Sequence, residues 1–537
     1  ASHYLLNLFL SLLPRPAYPL AMTIMLSSFS DLSLEHGAIM GSLLLMALWF
    51  LFTRSRHPVP PMAPPSMLQN MKRSGYPSLP HKVQMSDWVC DNTDQDTSKG
   101  ATFGLSMPIP WHFFTTCDYE LMRLILSGSA DGKIKEADKS RSIRSINLYR
   151  EIDSVLTAST WDENRSKTRK YMSPAFSTLN LQKTTLGILK DKTASFVQKL
   201  REISESGVDA VDMKELNVSI IFEVLVESLF DLRLDDDLDG FDSEAFLIAQ
   251  NSTLREAMKR NNIPFRRFMF WNKDKQFSEK SEQVLKDLGA KVLKKYREKQ
   301  QNKISEGEQA NAGGASIIGH LVSHDYPSDE HRIADMIVFL VAGHETTAHS
   351  LSFFLYCIAT NDDARMKLQQ ELDDALPSLS VPPTAAELES LSPSAISQLE
   401  YFSWCLKESQ RLYPVAPVVG RQTSQDIFHN GFVIPKNSIV ACHLYGAGRQ
   451  RWIEDADKFK PERWSKSHPQ YEQLKLIPSL FSMGKRSCIG QNLAMLEMRV
   501  IASTLARNFD FQMKEELNME LFVTVKPTSL KMKVTKR

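Results

Sequence analysis

The feature that most limits the fold is the stretch from Asp335 to Thr360, which is largely apolar over more than twenty residues. As a helix it would run roughly 39 Å at 1.5 Å per residue. A helix that is apolar on nearly every side needs cover from other elements along its whole length. It is not a membrane span, because His331, Arg332 and Asp335 crowd its start and His344 and Glu345 interrupt its middle. We therefore read it as a helix buried through the centre of a large domain. The expected class is mainly α with small β-sheets.

Other segments fit that reading. Ser278 to Gln301 is amphipathic, with lysine and glutamate on one face. The polar, glycine-bearing run from Gln300 to Ser316 reads as a surface loop. Gln398 to Tyr413 is a helical run stopped by Pro414. Four short β-rich pieces follow: Gly431 to Pro435, Ser438 to Cys442, Leu521 to Val525 and Leu530 to Val534. No repeat of 20 to 50 residues is present.

At the amino-terminal end, Gly37 to Thr53 is an uncharged apolar run of 17 residues. That is at the lower limit for crossing a bilayer core as a helix. Arg54, Arg56 and His57 follow it, and Asp31 and Glu35 precede it, which places the carboxyl-terminal side in the cytosol. A signal peptide carries its basic residues before the apolar run, not after it. A stiff proline-rich stretch from Pro58 to Met67 comes next. The expected organisation is a hydrophobic segment over 1–57 with a single-pass anchor at 37–53, a hinge over 58–75, and one catalytic domain over 76–537. Residues 1–30 are also largely apolar, with Arg15 as the only charge. They fit a targeting segment, a second membrane-associated helix, or translation upstream of a start at Met22 or Met25.

Composition narrows the partners. A formal net charge of +1 gives no electrostatic footprint for nucleic acid. The six cysteines, Cys90, Cys117, Cys357, Cys405, Cys442 and Cys488, are scattered. No CxxC pair or matching histidine pair accompanies them, so neither a disulfide framework nor a structural zinc site is expected.

Cys488 stands apart. It lies in FSMGKRSCIG, Phe481 to Gly490, and a helical pattern starts directly after it. An isolated cysteine is most often a small buried side chain. A cysteine opening a helix, however, meets backbone N–H groups and a dipole that favour the thiolate. Gly484 and Gly490 let the backbone approach a flat ligand closely, and Arg486 offers a charge for a carboxylate. Axial thiolate ligation of haem needs this set. In the central helix, Ala342-Gly-His-Glu-Thr-Thr347 puts Glu345 and Thr346 among apolar neighbours, where burial of unpaired polar groups is costly. His344 and His349 are five apart, so about 140° separates them around a helix. The four-residue spacing of zinc-protease HExxH gives about 40°, and the zinc reading is rejected. Glu408 and Arg411 share a helix face at i and i+3.

These residues together resemble the cytochrome P-450 family, of the eukaryotic membrane-anchored type. Phe481, Gly484, Arg486, Cys488 and Gly490 fill every fixed place of its FxxGxRxCxG signature. The resemblance spans roughly residues 105 to 535, with SPAFS (Ser173 to Ser177), AGxETT, ExxR–PERW and the cysteine loop in the family's order. It implies haem b (iron protoporphyrin IX) between the long central helix and the cysteine-loop helix, with Cys488 as metal ligand. It further implies that Ala342 and Gly343 leave room for oxygen, that Thr346 hydrogen-bonds it, and that Glu345 relays protons. Glu408, Arg411 and Arg463 take a structural role, locking the loop that carries the cysteine. Arg169 and Arg421 match haem-propionate contacts. The family often has WxxxR before SPAFS, and counting back from Pro174 the tryptophan's place is held by Arg165; Trp161 comes four residues early. GRQR (Gly448 to Arg451) stands where the family often has an HR pair.

The implied reaction inserts one atom of O₂ into a lipophilic substrate: a fatty acid, sterol, terpenoid or carotenoid. Electrons would come from an NADPH-dependent reductase on the same membrane, of the endoplasmic reticulum or a plastid. Two other readings stay open: a haem-thiolate peroxide isomerase or dehydratase, and a non-catalytic haem-binding sensor. Val338, Val341, Val415, Pro417, Val418, Val419 and Phe522 are the expected substrate-facing residues.

Overall fold

The computed structural model describes residues 102–105, 113–139, 152–233, 243–262, 266–305, 316–376, 387, 393–521 and 523–537. The expected anchor at 37–53 and the hinge at 58–75 lie outside the described residues, as does Phe522.

The principal helices are α1 (Tyr119–Ser127), α2 (Glu163–Met172), α3 (Leu186–Glu205), α4 (Met213–Phe230), α5 (Ser243–Asn262), α6 (Lys273–Ser305), α7 (Asp329–Ala359), α8 (Asp362–Ala375), α9 (Glu400–Leu412) and α10 (Gln491–Asn508). The central helix is α7, which starts six residues before the expected Asp335. Asp329 and Glu330 explain the earlier start, because acidic side chains in a first turn favour the positive end of the helix dipole. Helices α4, α6, α9 and α10 pack around α7. Its apolar side chains, among them Ile337, Phe339, Leu351, Phe353 and Phe354, join one core with Leu225, Leu406 and Ile501. Among the described residues, no helix is long and apolar enough to cross a membrane.

Helix α6 extends beyond the expected Ser278–Gln301 at both ends and takes the first residues of the predicted loop as far as Ser305. Residues 306–315 of that loop lie outside the described residues. Helix α9 falls within two residues of expectation at each end.

The largest sheet holds β1 (Thr102–Leu105), β2 (Phe113–Thr116), β3 (Asp138–Lys139), β5 (Val418–Gln422) and β8 (Ile439–His443), in the order β1-β2-β8-β5-β3. β5 runs antiparallel to β8, with Arg421 opposite Val440 and Lys139 of β3 opposite Arg421. A three-stranded sheet joins β4 (Val211–Asp212), β12 (Lys531–Lys536) and β9 (Phe509–Met513). β6 (Ile427–His429) and β7 (Phe432–Ile434) form a hairpin. The segment Leu521 to Val525 is not the one strand expected, because its two ends fall in different strands: Leu521 closes β10 (Met519–Leu521) and Val525 opens β11 (Val525–Pro527). β10 pairs antiparallel with β11. Alternation of apolar residues there reads as continuous strand, and no glycine, proline or asparagine marks the reversal.

Candidate active site

The loop from Phe481 to Gly490 is shaped by its backbone. Ser482 and Gly484 take left-handed conformations, with φ of 59° and 73°. At Gly484 a Cβ would sit 2.3 Å from the Leu126 carbonyl oxygen and 3.0 Å from the Glu136 carboxyl carbon, so only glycine fits. The loop closes through the Cys488 N–H, which donates to the Phe481 oxygen at 2.8 Å. Helix α10 starts three residues after the cysteine. Gly490 is uncrowded: its Cβ would meet only the Cys488 Sγ, at 3.9 Å.

Cys488 is exposed, unlike the other described cysteines. Burial around the thiol pushes its pKa up, while the Gly490 N–H and the Arg169 charge pull it down without prevailing. The helix-start environment acts in the expected direction but does not by itself yield a thiolate. A coordinating metal does, since a ligating thiol is deprotonated outright.

Four arginines surround this loop. Arg165 and Arg169 lie on α2, Arg421 on β5, and Arg486 in the loop itself. Arg165 Nη2 donates to the Lys485 oxygen at 3.0 Å, and Arg169 Nη2 donates to the Ser487 oxygen at 2.7 Å. Arg421 Nη2 reaches the Ser482 Oγ at 3.4 Å. Arg486 turns outward from the loop: Nε donates to the Thr160 Oγ1 at 3.0 Å, Nη1 to the Val155 oxygen at 3.0 Å, and Nη2 to the Ala158 oxygen. Its place is therefore a brace between the cysteine loop and residues 155–160, a role the signature alone did not reveal. Glu136 accepts from the Lys485 N–H at 3.0 Å, and Asp138 from the Thr160 N–H at 2.6 Å.

Arg421 is 3% exposed, and its Nε has no partner. A buried guanidinium with an unused donor is costly unless an acceptor arrives from elsewhere. Burial lowers the pKa of Arg165 to about 10 and of Arg486 to about 9, with neighbouring arginines adding to the fall. An exposed sulfur beside crowded cations suits a planar dianion that carries a thiophilic metal. Iron protoporphyrin IX is such a group, and Cys488, Arg169 and Arg421 are the residues that would hold it, the first by its sulfur and the arginines by its carboxylates.

The central helix contributes its middle. His344, Thr347, Ala348 and His349 are buried, whereas Ala342 is exposed and Glu345 and Thr346 are partly so. Positions 342, 345 and 346 share one face, which makes an accessible stripe on an otherwise enclosed helix. Thr346 Oγ1 donates to the Ala342 oxygen at 2.8 Å. Gly343 does not belong to that stripe. A Cβ there would meet Leu225 Cδ2 of α4 at 2.8 Å, so its lack of a side chain lets two helices approach and does not open space for oxygen. His344 stands edge-on to Phe222 and Phe246. His349, 2% exposed, has its pKa lowered to about 3 by burial.

The accessible stripe is tied to the cysteine helix. α10 packs on α7, and Glu497 of α10 hydrogen-bonds Thr347, the neighbour of Thr346. Glu497 is buried, and burial raises its pKa to about 8. Sequence reasoning missed Glu497, Glu136 and Asp138, none of which belongs to a motif. Arg165 was visible, through its spacing from Pro174. Of the expected substrate-facing residues, Val338, Val415 and Pro417 are buried, while Val341, Val418 and Val419 are partly exposed.

Glu408 is wholly buried and accepts from Arg411 Nη2 at 2.7 Å, Arg463 Nε at 3.0 Å, Trp464 Nε1 at 3.0 Å and the Lys460 N–H at 3.1 Å. Burial alone would raise its pKa, but Arg411, Lys460 and Arg463 outweigh it and the net shift is down. Arg411 also holds the Gly448 and Ala456 oxygens, and Arg463 those of Glu454 and Asp455. The three residues thus lock residues 448–464, upstream of the cysteine loop, and not the loop itself as expected. The loop is held by Arg165, Arg169, Arg421 and Glu136 instead. Gly448, first residue of GRQR, is packed against Arg411, whose oxygen would lie 2.8 Å from a Cβ.

Comparison with known proteins agrees with this geometry. The profile of the Cytochrome P450 family matches residues 99–534. Cytochrome P450 3A41 of Mus musculus is 37% identical over 202 residues, which cover 37% of this chain and 38% of that protein. Cytochrome P450 3A12 of Canis lupus familiaris is 27% identical over 379 residues, covering 67% and 70%. The match to the mouse protein thus spans well under half of its length. The crystal structure of a cytochrome P450 named CYP102L1 superposes with a TM-score of 0.64 at 22% identity, covering 81% of this chain and 95% of that one. The chain belongs to the cytochrome P450 family, whose cofactor is haem b.

Proposed function

We propose that this protein is a monooxygenase that inserts one atom of O₂ into a lipophilic substrate and reduces the other to water. The observation that carries the reading is the accessible Ala342–Glu345–Thr346 stripe on a buried helix, coupled through Thr347 and Glu497 to the helix that Cys488 leads. Haem, which Cys488 would hold by its sulfur, would supply the oxygen chemistry. The chain's own residues bind, orient and deliver protons. Arg169 and Arg421 orient the cofactor by its carboxylates. Thr346 holds a hydroxyl proton on the Ala342 oxygen and can turn it toward the accessible face, and Glu345 stands one residue away to replace it.

Cleavage of O₂ with substrate hydroxylation needs two electrons from outside, and we assign them to a separate NADPH-dependent reductase. We further assign residues 37–53 as a single-pass anchor and 58–75 as a hinge, with residues 76–537 as the cytosolic catalytic domain. The membrane is that of the endoplasmic reticulum or a plastid, and the substrate a fatty acid, sterol, terpenoid or carotenoid.

The first test is the absorption spectrum of the dithionite-reduced protein with and without carbon monoxide. A strongly red-shifted Soret band that Cys488→Ser abolishes supports thiolate ligation. No haem, or a band typical of histidine ligation in folded protein, rules it out. Product formation that depends on NADPH, reductase and O₂ then supports a monooxygenase. Peroxide rearrangement without reductase would assign the isomerase or dehydratase activity instead.

A further inference from the structure

We propose that Arg165 is a third guanidinium for the haem carboxylates, beside Arg169 and Arg421, and that its charge governs both haem retention and the ease of iron reduction. The inference rests on haem binding at the Cys488 loop and gives Arg165, so far a brace on the Lys485 oxygen, a second role.

Arg165 sits on α2 one turn before Arg169, so both side chains leave the helix on one face. It is 5% exposed. One nitrogen donates to the Lys485 oxygen at 3.0 Å and Nε to the Val155 oxygen at 3.4 Å. Among the described residues Nη1 has no hydrogen-bond partner. Arg169 uses only Nη2, and Arg421 has its buried Nε unused. Three guanidiniums that touch one short loop, at Lys485, Ser487 and Ser482, therefore keep donors in reserve.

Charge points the same way. Arg165 and Arg486 are depressed first by burial and then by their arginine neighbours, Arg169 and Arg421 among them, while the carboxylates of Glu136 and Asp138 lie close enough to oppose the fall at Arg165. Guanidinium does not lose its proton in proteins. Four fixed cations against two carboxylates leave an excess of at least two positive charges in a poorly solvated place. Iron protoporphyrin IX carries two carboxylates. An indole at position 165, as the family often has, would leave one cation fewer. A fixed positive charge near the iron favours the ferrous over the ferric state.

The test uses the full-length holoprotein with Arg165→Gln and Arg165→Lys. Two readouts are taken: the rate of haem transfer to excess apomyoglobin, and the ferric/ferrous midpoint potential. Loss of one charge-assisted hydrogen bond to a carboxylate should speed transfer about tenfold or more in the Gln variant. Its potential should fall, whereas the Lys variant should keep the wild-type potential. Glu136→Gln, which raises the charge excess, should shift the potential upward, and it serves if Arg165→Gln does not fold. Equal changes in the Lys and Gln variants would overturn the proposal, since the residue would then merely tie α2 to the Lys485 oxygen. Unchanged transfer and potential in the Gln variant would overturn it as well. A wild-type protein that takes up no haem would instead overturn the cofactor assignment, and this shows before any variant is compared.

Discussion

Replacing Glu408 by glutamine keeps the shape of the side chain and removes its charge. Oε1 and Oε2 together accept from Arg411, Arg463, Trp464 and the Lys460 N–H. An amide offers one acceptor oxygen and turns an NH₂ toward N–H donors. Two buried guanidiniums are left without a counter-charge, and breaking a buried ion pair in this way costs about 3–5 kcal/mol. A domain of roughly 430 residues has an unfolding entropy near 0.9 kcal/mol/K at about 2.1 cal/mol/K per residue. The melting temperature should therefore drop by about 3–6 °C, read by circular dichroism at neutral pH. Glu462→Gln is the control. Its partners Lys367 and Tyr401 sit at a half-exposed carboxylate, where an ion pair contributes about 0.2–1 kcal/mol, so its drop should stay near 1 °C. The Glu408 carboxyl has its pKa held below the ordinary value of 4.5. Its contribution is thus present above about pH 4.5 and lost as pH falls through the depressed value, so wild type and variant should converge on acidification. A Glu408→Gln protein that melts within 1 °C of wild type at neutral pH would refute the claim that this carboxylate locks residues 448–464.

Gly484→Ala should destabilise by on the order of 2–4 kcal/mol, through left-handed strain and a clash with the Leu126 oxygen, while Gly490→Ala should leave apoprotein melting nearly unchanged and weaken haem retention. Comparing apoprotein melting with haem content separates the two. Thr346→Ala should barely affect stability, because its hydroxyl bonds only the Ala342 oxygen, but product formed per NADPH consumed should fall. Unchanged coupling would remove Thr346 from proton delivery. Glu497 has a folded pKa raised to about 8 from an ordinary 4.5. The folded state then holds the proton more tightly than the unfolded one. The stability this gives is complete below about pH 4.5 and disappears as pH rises through 8. Urea titrations of wild type and Glu497→Gln should therefore diverge most above pH 6, with the variant the flatter of the two.

Much of the site could be read in the sequence where chemistry needs fixed spacing within one element. Glu408 and Arg411, or Ala342 and Thr346, lie a turn apart on one helix, and their pairing follows from helix geometry. The cysteine loop was legible for a related reason, as Gly484 is dictated by a backbone angle. What could not be read depends on which distant residues arrive beside it. The carboxyl of Glu136 excludes any side chain at Gly484 from 348 positions away. Arg486 looked like a carboxylate partner by type, yet the carbonyls of Val155 and Ala158 and the hydroxyl of Thr160 claim it. Gly343 looked like space for a ligand, but Leu225 of another helix fills it. The pairing of Met519–Leu521 with Val525–Pro527 was hidden because strand-favouring residues run across the whole segment in the sequence.

Two sets of arginines have been described, and they differ in what completes them. Arg411 and Arg463 are satisfied by Glu408 and by backbone oxygens, all from the same polypeptide. This set can form during synthesis of the chain, with no prosthetic group at hand. The set around Cys488 is braced by loop carbonyls too, but it leaves the buried Arg421 Nε unused and more guanidiniums than the carboxylates of Glu136 and Asp138 can offset. Folding of the scaffold and uptake of an anionic cofactor are thus separable events, because the residues that serve the first do not wait on the second.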